Sequence, residues 1–160
     1  MARFMTREGF EALKAELDFL WTKERPAITA QVSAAAELGD RSENAEYIYG
    51  KKRLREIDSR LRTLKLRMEG LTVVDLASQP TFKDVRFGAI VEVEDDDGHA
   101  RTFRLVDQHE SDPGRHRISV QSPIGKALLG KKVGDYVEVV LPKGRQGLEI
   151  TAIRYGAGDP

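Results

Sequence analysis

In the first half of the chain, apolar residues alternate at spacings of three and four, which places them along one face of a helix. A first run is interrupted by Pro26, and a second run follows a short polar stretch. Because Pro26 lacks a backbone N–H and clashes with the preceding turn, we expect a kink or local break there. The apolar positions are Phe10, Leu13, Leu17, Leu20, Ile28, Val32, Ala35 and Leu38, then Leu54, Ile57, Leu61, Leu64, Met68 and Leu71.

These two helices are predicted to form one hairpin. Thr6 suits the N-cap of the first helix, and Gly39 can adopt the left-handed conformation that ends it. The connecting turn, Gly39–Ser42, is so short that the helices must run antiparallel and bury each other's apolar faces. Because a short loop closes at little entropic cost, pairing within the chain is favoured over dimerisation, and we expect a monomer.

The second half alternates in the manner of strands and turns. Asp97-Gly98 favours a hairpin turn, and Ser122 is placed to cap a short helix that begins at Pro123. The pattern predicts a small domain built on an antiparallel sheet and hence an α+β chain. We place the boundary before Ser78, which gives domains 1–77 and 78–160. The predicted elements are strands at 87–94, 102–106, 117–120, 136–141 and 148–155, and a helix at 123–129. The final residues, 156–160, are expected to be disordered.

Composition narrows the function classes. Lys+Arg and Asp+Glu both number 26, so a basic protein that coats nucleic acid is not indicated. The absence of cysteine excludes a disulfide framework, a thiolate zinc site and a thiol nucleophile. We find neither a signal peptide nor an apolar stretch of about 18 residues, so we expect a soluble cytoplasmic protein without membrane association.

The zero net charge hides a local asymmetry. Residues 37–46 hold four acids and one base, and residues 51–67 hold eight bases and two acids. We call residues 39–46 the acidic tip. Within it, Asp40 and Glu43 have the spacing of a capping box, with Asp40 as N-cap. Alternatively, their carboxylates form half of an exposed Mg²⁺ site that a partner completes, since two carboxylates rarely fill the Mg²⁺ shell.

The basic run also has two interpretations. It is either a solvated helix face or a track for nucleic-acid phosphates. Lys51, Arg55, Arg62 and Lys65 lie near one another at helical spacings, away from the apolar face. Few aromatic residues interrupt the run, so contacts to the phosphate backbone rather than to bases are expected. The histidines fall in predicted turns, where we expect them to be exposed: His99, His109 and His116.

The sequence Gly39-Asp40-Arg41-Ser42-Glu43-Asn44-Ala45-Glu46-Tyr47 resembles the signature of the GreA/GreB family of bacterial transcript cleavage factors. The stretch from Lys51 to Asp58 is closer to GreB than to GreA. Further similar segments are Thr6 to Leu20, Phe87-Gly88-Ala89, Ile118 to Pro123, Ala127 to Gly130 and Val133-Gly134-Asp135, so the resemblance covers nearly the whole chain.

The resemblance implies an N-terminal coiled-coil hairpin and a C-terminal FKBP-like domain. It implies that the domain binds RNA polymerase at the secondary channel and that the hairpin carries its tip to the active centre. The factor then stimulates cleavage of the 3′ end of nascent RNA in backtracked, arrested complexes. It is no enzyme itself, because the endonucleolytic activity belongs to the polymerase.

The resemblance also assigns residues. Asp40 and Glu43 would help hold a second Mg²⁺, present only in the polymerase complex, and Ser42 would position water or substrate or cap the helix. The alternatives are a channel-binding regulator without cleavage activity, a prolyl isomerase and a structural adaptor. The remaining assignments are RNA contacts at Lys51, Lys52, Arg55, Arg62 and Lys65, and polymerase contacts at Ser122, Pro123 and Ile124.

Overall fold

The computed structural model describes residues 3–160, which divide into two compact units. One unit is Phe10–Leu71, and the other is Thr72–Pro160 together with the described residues of Met1–Gly9. This division differs from the one at residues 77 and 78 that the sequence suggests. A strand at the start of the chain, β1 (Arg3–Thr6), pairs with β2 (Leu71–Val74), and this pairing joins the first residues to the second unit.

The first unit is the predicted helical hairpin. Its first arm comprises α1 (Arg7–Phe19), which enters this unit at Phe10, a π-helical segment (Leu20–Glu24) and α2 (Arg25–Ala36). Its second arm is α3 (Ala45–Met68). The local break expected at Pro26 takes the form of the π-helical segment just before it, where the Arg25 N–H donates to the Leu20 carbonyl five residues back. Thr6 caps α1, since its hydroxyl accepts from the Gly9 N–H at 3.1 Å.

The apolar face of the hairpin forms a small core. Leu20, Ile57, Leu61 and Leu64 are buried there, and Leu64 is fully inaccessible. Leu13, Leu17 and Ile28 pack against this cluster as partly buried residues. Burial of these side chains stabilises the pairing of the two arms, as the spacing of the apolar residues predicts.

Both ends of the predicted apolar face are wrong by a few residues. Leu38 lies beyond the end of α2 and is 77% exposed, because the chain already turns after Ala36. Leu71 is not helical, because α3 ends at Met68 and Leu71 begins β2. Pairing of β2 with β1 satisfies backbone groups that a longer helix would otherwise satisfy.

Three ion pairs join the two arms across the apolar face. They are Arg60–Glu16 at 2.7 Å, Arg53–Glu24 at 2.6 Å and Arg25–Asp58 at 2.8 Å. Residues late in α3 pair with residues early in the first arm, which confirms the antiparallel arrangement. All three pairs are partly exposed, so each contributes little to stability.

The second unit is built on a five-stranded sheet of order β5-β4-β3-β7-β6. Its strands are β3 (Ile90–Asp95), β4 (Ala100–Val106), β5 (Arg117–Ser119), β6 (Tyr136–Leu141) and β7 (Gly144–Arg154). Three of the neighbouring pairs are antiparallel, as predicted, but β4 and β5 are parallel. Residues 107–116 cause this difference, because two short 3₁₀ turns bring the chain back along the sheet edge before β5 begins.

A helix and the sheet enclose the core of the second unit. The helix α4 (Pro123–Leu128) begins at Ser122, whose hydroxyl accepts from the Gly125 N–H as predicted. Leu128 of α4 is fully buried with Val91, Leu105 and Leu148 of the sheet. Together these elements confirm the α+β class, an N-terminal helical hairpin followed by a mostly antiparallel sheet.

Two further expectations can be compared with the structure. His99, His109 and His116 are exposed, as predicted. The final segment, Gly156–Pro160, was expected to be disordered, and this is wrong, because Asp159 pairs with two arginines and Arg104 binds two carbonyls of the segment. Across residues 3–160, no helix is long and apolar enough to span a membrane.

Candidate functional site at the hairpin tip

The acidic tip lies in the turn between α2 and α3. Gly39 adopts φ +112°, a conformation that favours glycine and lets the chain reverse direction after α2. Beyond it, Asp40, Ser42 and Glu43 are all exposed. The turn therefore presents two carboxylates and one hydroxyl to solvent within four consecutive residues.

The geometry of the turn depends on the Asp40 carboxylate. Its Oδ1 accepts hydrogen bonds from the Ser42 hydroxyl at 2.6 Å and from the Ser42 N–H at 3.0 Å. These bonds, the one from the hydroxyl above all, lower the pKa of Asp40 below its usual value, and the Glu43 N–H acts in the same direction. Asp40 is therefore oriented within the turn and ionised at neutral pH.

The helix cap is Asn44 rather than Asp40. The Asn44 Oδ1 accepts from the Tyr47 N–H at 3.1 Å, and the Asn44 Nδ2 donates to the Ala35 carbonyl at 2.7 Å. The capping box predicted for Asp40 and Glu43 is wrong, because α3 begins at Ala45, too late for Asp40 to reach its first free N–H groups. One side chain, Asn44, thus caps α3 and ties it to the end of α2.

The capping role of Asn44 frees the tip carboxylates. Glu43 does not have to accept a hydrogen bond from an N-cap backbone N–H, as it would in a capping box. Asp40 forms its hydrogen bonds only within the turn. Sequence reasoning missed Asn44, although asparagine is as good an N-cap residue as aspartate and stands directly before the helical pattern resumes. Asp40 and Asn44 are both suitable N-cap residues and stand four positions apart. The spacing from Asp40 to Glu43 favoured Asp40, whereas the cap is Asn44.

The tip fits a shared metal site better than a complete one. Carboxylate oxygens are the ligands that Mg²⁺ prefers, and Asp40 and Glu43 provide two such groups on an exposed turn. Among the described residues, the only group of three or more close metal-ligating side chains is Asp95, Asp97 and His99, at the end of β3 and in the turn that follows it. Asp40 and Glu43 would therefore hold only part of a Mg²⁺ coordination shell.

Seven of the eight basic residues of α3, all but Arg67, divide into two sets. Arg53 and Arg60 are engaged in the ion pairs with the first arm. The five residues assigned to RNA are exposed, and within residues 3–160 none of them forms an ion pair closer than 4 Å: Lys51, Lys52, Arg55, Arg62 and Lys65. The structure therefore places these five cations where a phosphate chain can contact them.

The residues assigned to polymerase binding lie at the start of α4, in the second unit. Pro123 is exposed, whereas Ile124 packs against the core. The Ser122 hydroxyl accepts from the Gly125 N–H and donates to the Ser119 carbonyl at 2.6 Å, so it is occupied within the fold. Ser122 also lines an open groove of about 740 Å³ with Phe103 and Ile118.

Two models of known protein families match nearly the whole length of this chain. Residues 3–73 match the family model described as "Transcription elongation factor, N-terminal", and residues 79–155 match "Transcription elongation factor, GreA/GreB, C-term". The chain is 52% identical to transcription elongation factor GreB of Yersinia pestis over 154 residues, which are 96% of this chain and 90% of that protein.

This chain belongs to the GreA/GreB family of transcription elongation factors. It is also 49% identical to GreB of Haemophilus ducreyi, over 96% of this chain and 94% of that protein. Among solved structures, GreA factor homolog 1 (Gfh1) of Thermus thermophilus is 25% identical, with a TM-score of 0.42 over 96% of this chain and 99% of that one. The family resemblance inferred from the sequence is confirmed, and the acidic tip lies in the half that matches the family's N-terminal model.

Proposed function

We propose that this GreA/GreB family member is a transcript cleavage factor. It binds RNA polymerase through its second unit and brings the acidic tip through the secondary channel to the polymerase active centre. There it stimulates cleavage of the RNA 3′ end in backtracked complexes. Membership of the elongation factor family supports the setting, and the exposed, ionised Asp40 beside Glu43 is the observation that carries the chemistry.

The tip acts by donating ligands rather than by catalysing alone. Asp40 and Glu43 would hold a second Mg²⁺ together with polymerase groups, and the chemistry supplied there would be activation of the attacking water and stabilisation of the leaving oxygen. The hydrogen bonds from Ser42 keep the Asp40 carboxylate charged and oriented before the partner is met. Asn44 keeps the turn anchored to both helices. The turn therefore loses little conformational freedom when it binds.

The other predicted contacts are part of the same proposal. The exposed cations of α3 would neutralise phosphates of the extruded RNA, and the start of α4 would contact the polymerase through exposed Pro123. Ser122 would act there by fixing the helix start, since its hydroxyl is already bonded within the fold. Ile124 would support that surface from the core side.

A cleavage assay tests the proposal. Purified protein is added to a stalled, backtracked elongation complex with end-labelled RNA and Mg²⁺, and shortening of the RNA is followed in time. We expect faster cleavage with the polymerase present and no effect on free RNA. If the protein instead slows transcription without shortening the transcript, it is a channel-binding regulator, and the cleavage proposal is refuted.

The RNA track makes a separate prediction. Replacing Lys52, Arg55 and Arg62 together by glutamine should weaken cross-linking of the extruded RNA to α3. It should also reduce the slope of log affinity against log salt concentration by about 2, because each lost contact to a single-strand phosphate removes about 0.7 from that slope. RNA that carries a photoreactive 3′ end, cross-linked at several salt concentrations, provides the measurement.

The matched control is the double variant Lys14→Gln and Lys23→Gln. Both lysines are exposed on the first arm, and neither pairs with an acid within residues 3–160. Unchanged cross-linking in the α3 variant, or an equal loss in the control, would return the basic run to a solvated helix face.

A further inference from the structure

The segment Gly156–Pro160 is fastened to the second unit by polar contacts. Arg104 is fully buried and donates from Nη1 to the Gly88 carbonyl at 2.7 Å. Its Nη2 donates to the carbonyls of Gly156, at 2.6 Å, and of Gly158. Both glycines have positive φ, 122° and 94°, and this conformation turns their carbonyls towards one guanidinium.

Next to these Arg104 contacts, Asp159 lies between two further arginines. Its Oδ2 accepts from the Arg115 Nε at 2.8 Å, and its Oδ1 accepts from the Arg117 Nε at 2.9 Å. These bonds, first that from Arg115 and then that from Arg117, hold the pKa of Asp159 below its usual range. Each carboxylate oxygen thus meets one guanidinium, and Arg117 is only 5% exposed.

Cations outnumber anions at this place. Two carboxylates, Asp159 and Glu8, lie beside three guanidinium groups, those of Arg104, Arg115 and Arg117. Glu8 contacts Arg115 at 2.8 Å and Arg117 at 3.5 Å. Burial, and then the charge of Arg117, lowers the pKa of Arg104, and the charge of Asp159 acts in the opposite direction. Without Asp159, Glu8 would be left as the carboxylate in contact with Arg115 and Arg117, so an anion is favoured where Asp159 lies.

The contacts that hold Asp159 in place can be exchanged. Ala157 is exposed and Pro160 is only half-buried, so the segment buries little apolar surface, and its attachment is electrostatic. A cavity of about 220 Å³ opens beside Asp159 and is also lined by Thr6, Glu8 and Arg115. The cavity leaves room beside the arginines for a second carboxylate.

We propose that Arg115 and Arg117 form a carboxylate-binding site that Asp159 fills as a built-in stand-in. An acidic side chain of a protein partner replaces Asp159 there, and the released segment leaves the surface. The ligand is a carboxylate rather than a phosphate, because Glu8 next to Arg117 repels a second negative charge on the ligand. This site is independent of the cleavage chemistry at the acidic tip.

Acetate binding to an Asp159→Ala variant of the full chain provides the test. Acetate is titrated at constant ionic strength maintained with chloride, and the Nε–Hε NMR signals of Arg115 and Arg117 report binding. We expect acetate to bind the variant at least tenfold more tightly than it binds the wild type. A short peptide with two aspartates should shift the same signals, whereas its asparagine counterpart should not.

Two further variants make the test specific. Asp97→Ala removes the same charge from an exposed turn of the same unit and should behave like the wild type. Adding Arg115→Gln to Asp159→Ala should abolish acetate binding, and Arg115 is suitable because its side chain is 41% exposed and not needed for packing.

Three results would overturn the proposal. Acetate could bind Asp159→Ala no better than wild type or Asp97→Ala. Inorganic phosphate could bind that variant at least as tightly as acetate does, which would assign the site to another ligand class. Finally, acetate could shift signals other than those of the two arginines.

Discussion

Replacing Asp40 by asparagine should slow factor-stimulated transcript cleavage by about 100-fold, the upper end of the usual loss when a group that supports a metal site is removed. Asparagine retains the Oδ1 that accepts both hydrogen bonds from Ser42, so the turn should persist. Only the negative charge that favours a divalent cation is lost. The cleavage rate of a backtracked complex at saturating factor measures the effect, and polymerase affinity should change little.

Companion variants separate charge from structure. Glu37→Gln removes an exposed acid from the same turn, outside the predicted ligand pair, and should cleave normally. Glu43→Gln should resemble Asp40→Asn, and raising the Mg²⁺ concentration should partly restore both. Normal stimulation by Asp40→Asn would refute metal donation, and if Asp40→Ala alone were defective, the role of Asp40 would be to shape the turn.

Replacing Leu64 by alanine should destabilise the hairpin by about 2–5 kcal/mol, the usual range for a leucine truncated in a core. Leu64 is fully buried and packs in the cluster with Leu20, Ile57 and Leu61. The cost is large because this core is small and few neighbours can move to fill the cavity. Trp21, the only tryptophan of the chain, lies in the same unit, so its fluorescence during urea denaturation can follow the hairpin.

Leu66→Ala is the matched control for Leu64→Ala. It is the same substitution two residues away on α3, where Leu66 is 64% exposed. Its expected effect is below about 0.5 kcal/mol, as for most surface changes. Similar losses at the two positions would contradict the assignment of the buried face.

The sequence was sufficient for the elements whose signal is local. The alternation of three and four among residues such as Ile57, Leu61 and Leu64 reflects burial on one helix face, and burial is what the structure finds there. Ser122 followed by Pro123 predicts the start of α4 for a similarly local reason, since a cap acts within one turn. The structure also finds the tip carboxylates, Asp40 and Glu43, exposed in the turn.

Features that depend on distant partners were missed or misplaced. β1 and β2 are short strands that gain regular structure only by pairing with each other across more than 60 intervening residues. The segment around Asp159 looked disordered because its glycines carry no pattern, and its anchors Arg104, Arg115 and Arg117 lie some 40 to 55 residues earlier. Parallel pairing of β5 likewise depends on the path of the chain through two irregular turns.

The three ion pairs across the hairpin also protect its alignment. An apolar face that repeats every seven residues would tolerate a slide of one arm by seven positions. Such a slide would bring Arg60 opposite Lys23 in one direction and Asp58 opposite Asp18 in the other, so like charges would meet either way. Each slide would also move the turn along the chain by about half as many residues. The ion pairs between the arms therefore fix their register, and this register keeps Asp40 at the point where the chain reverses.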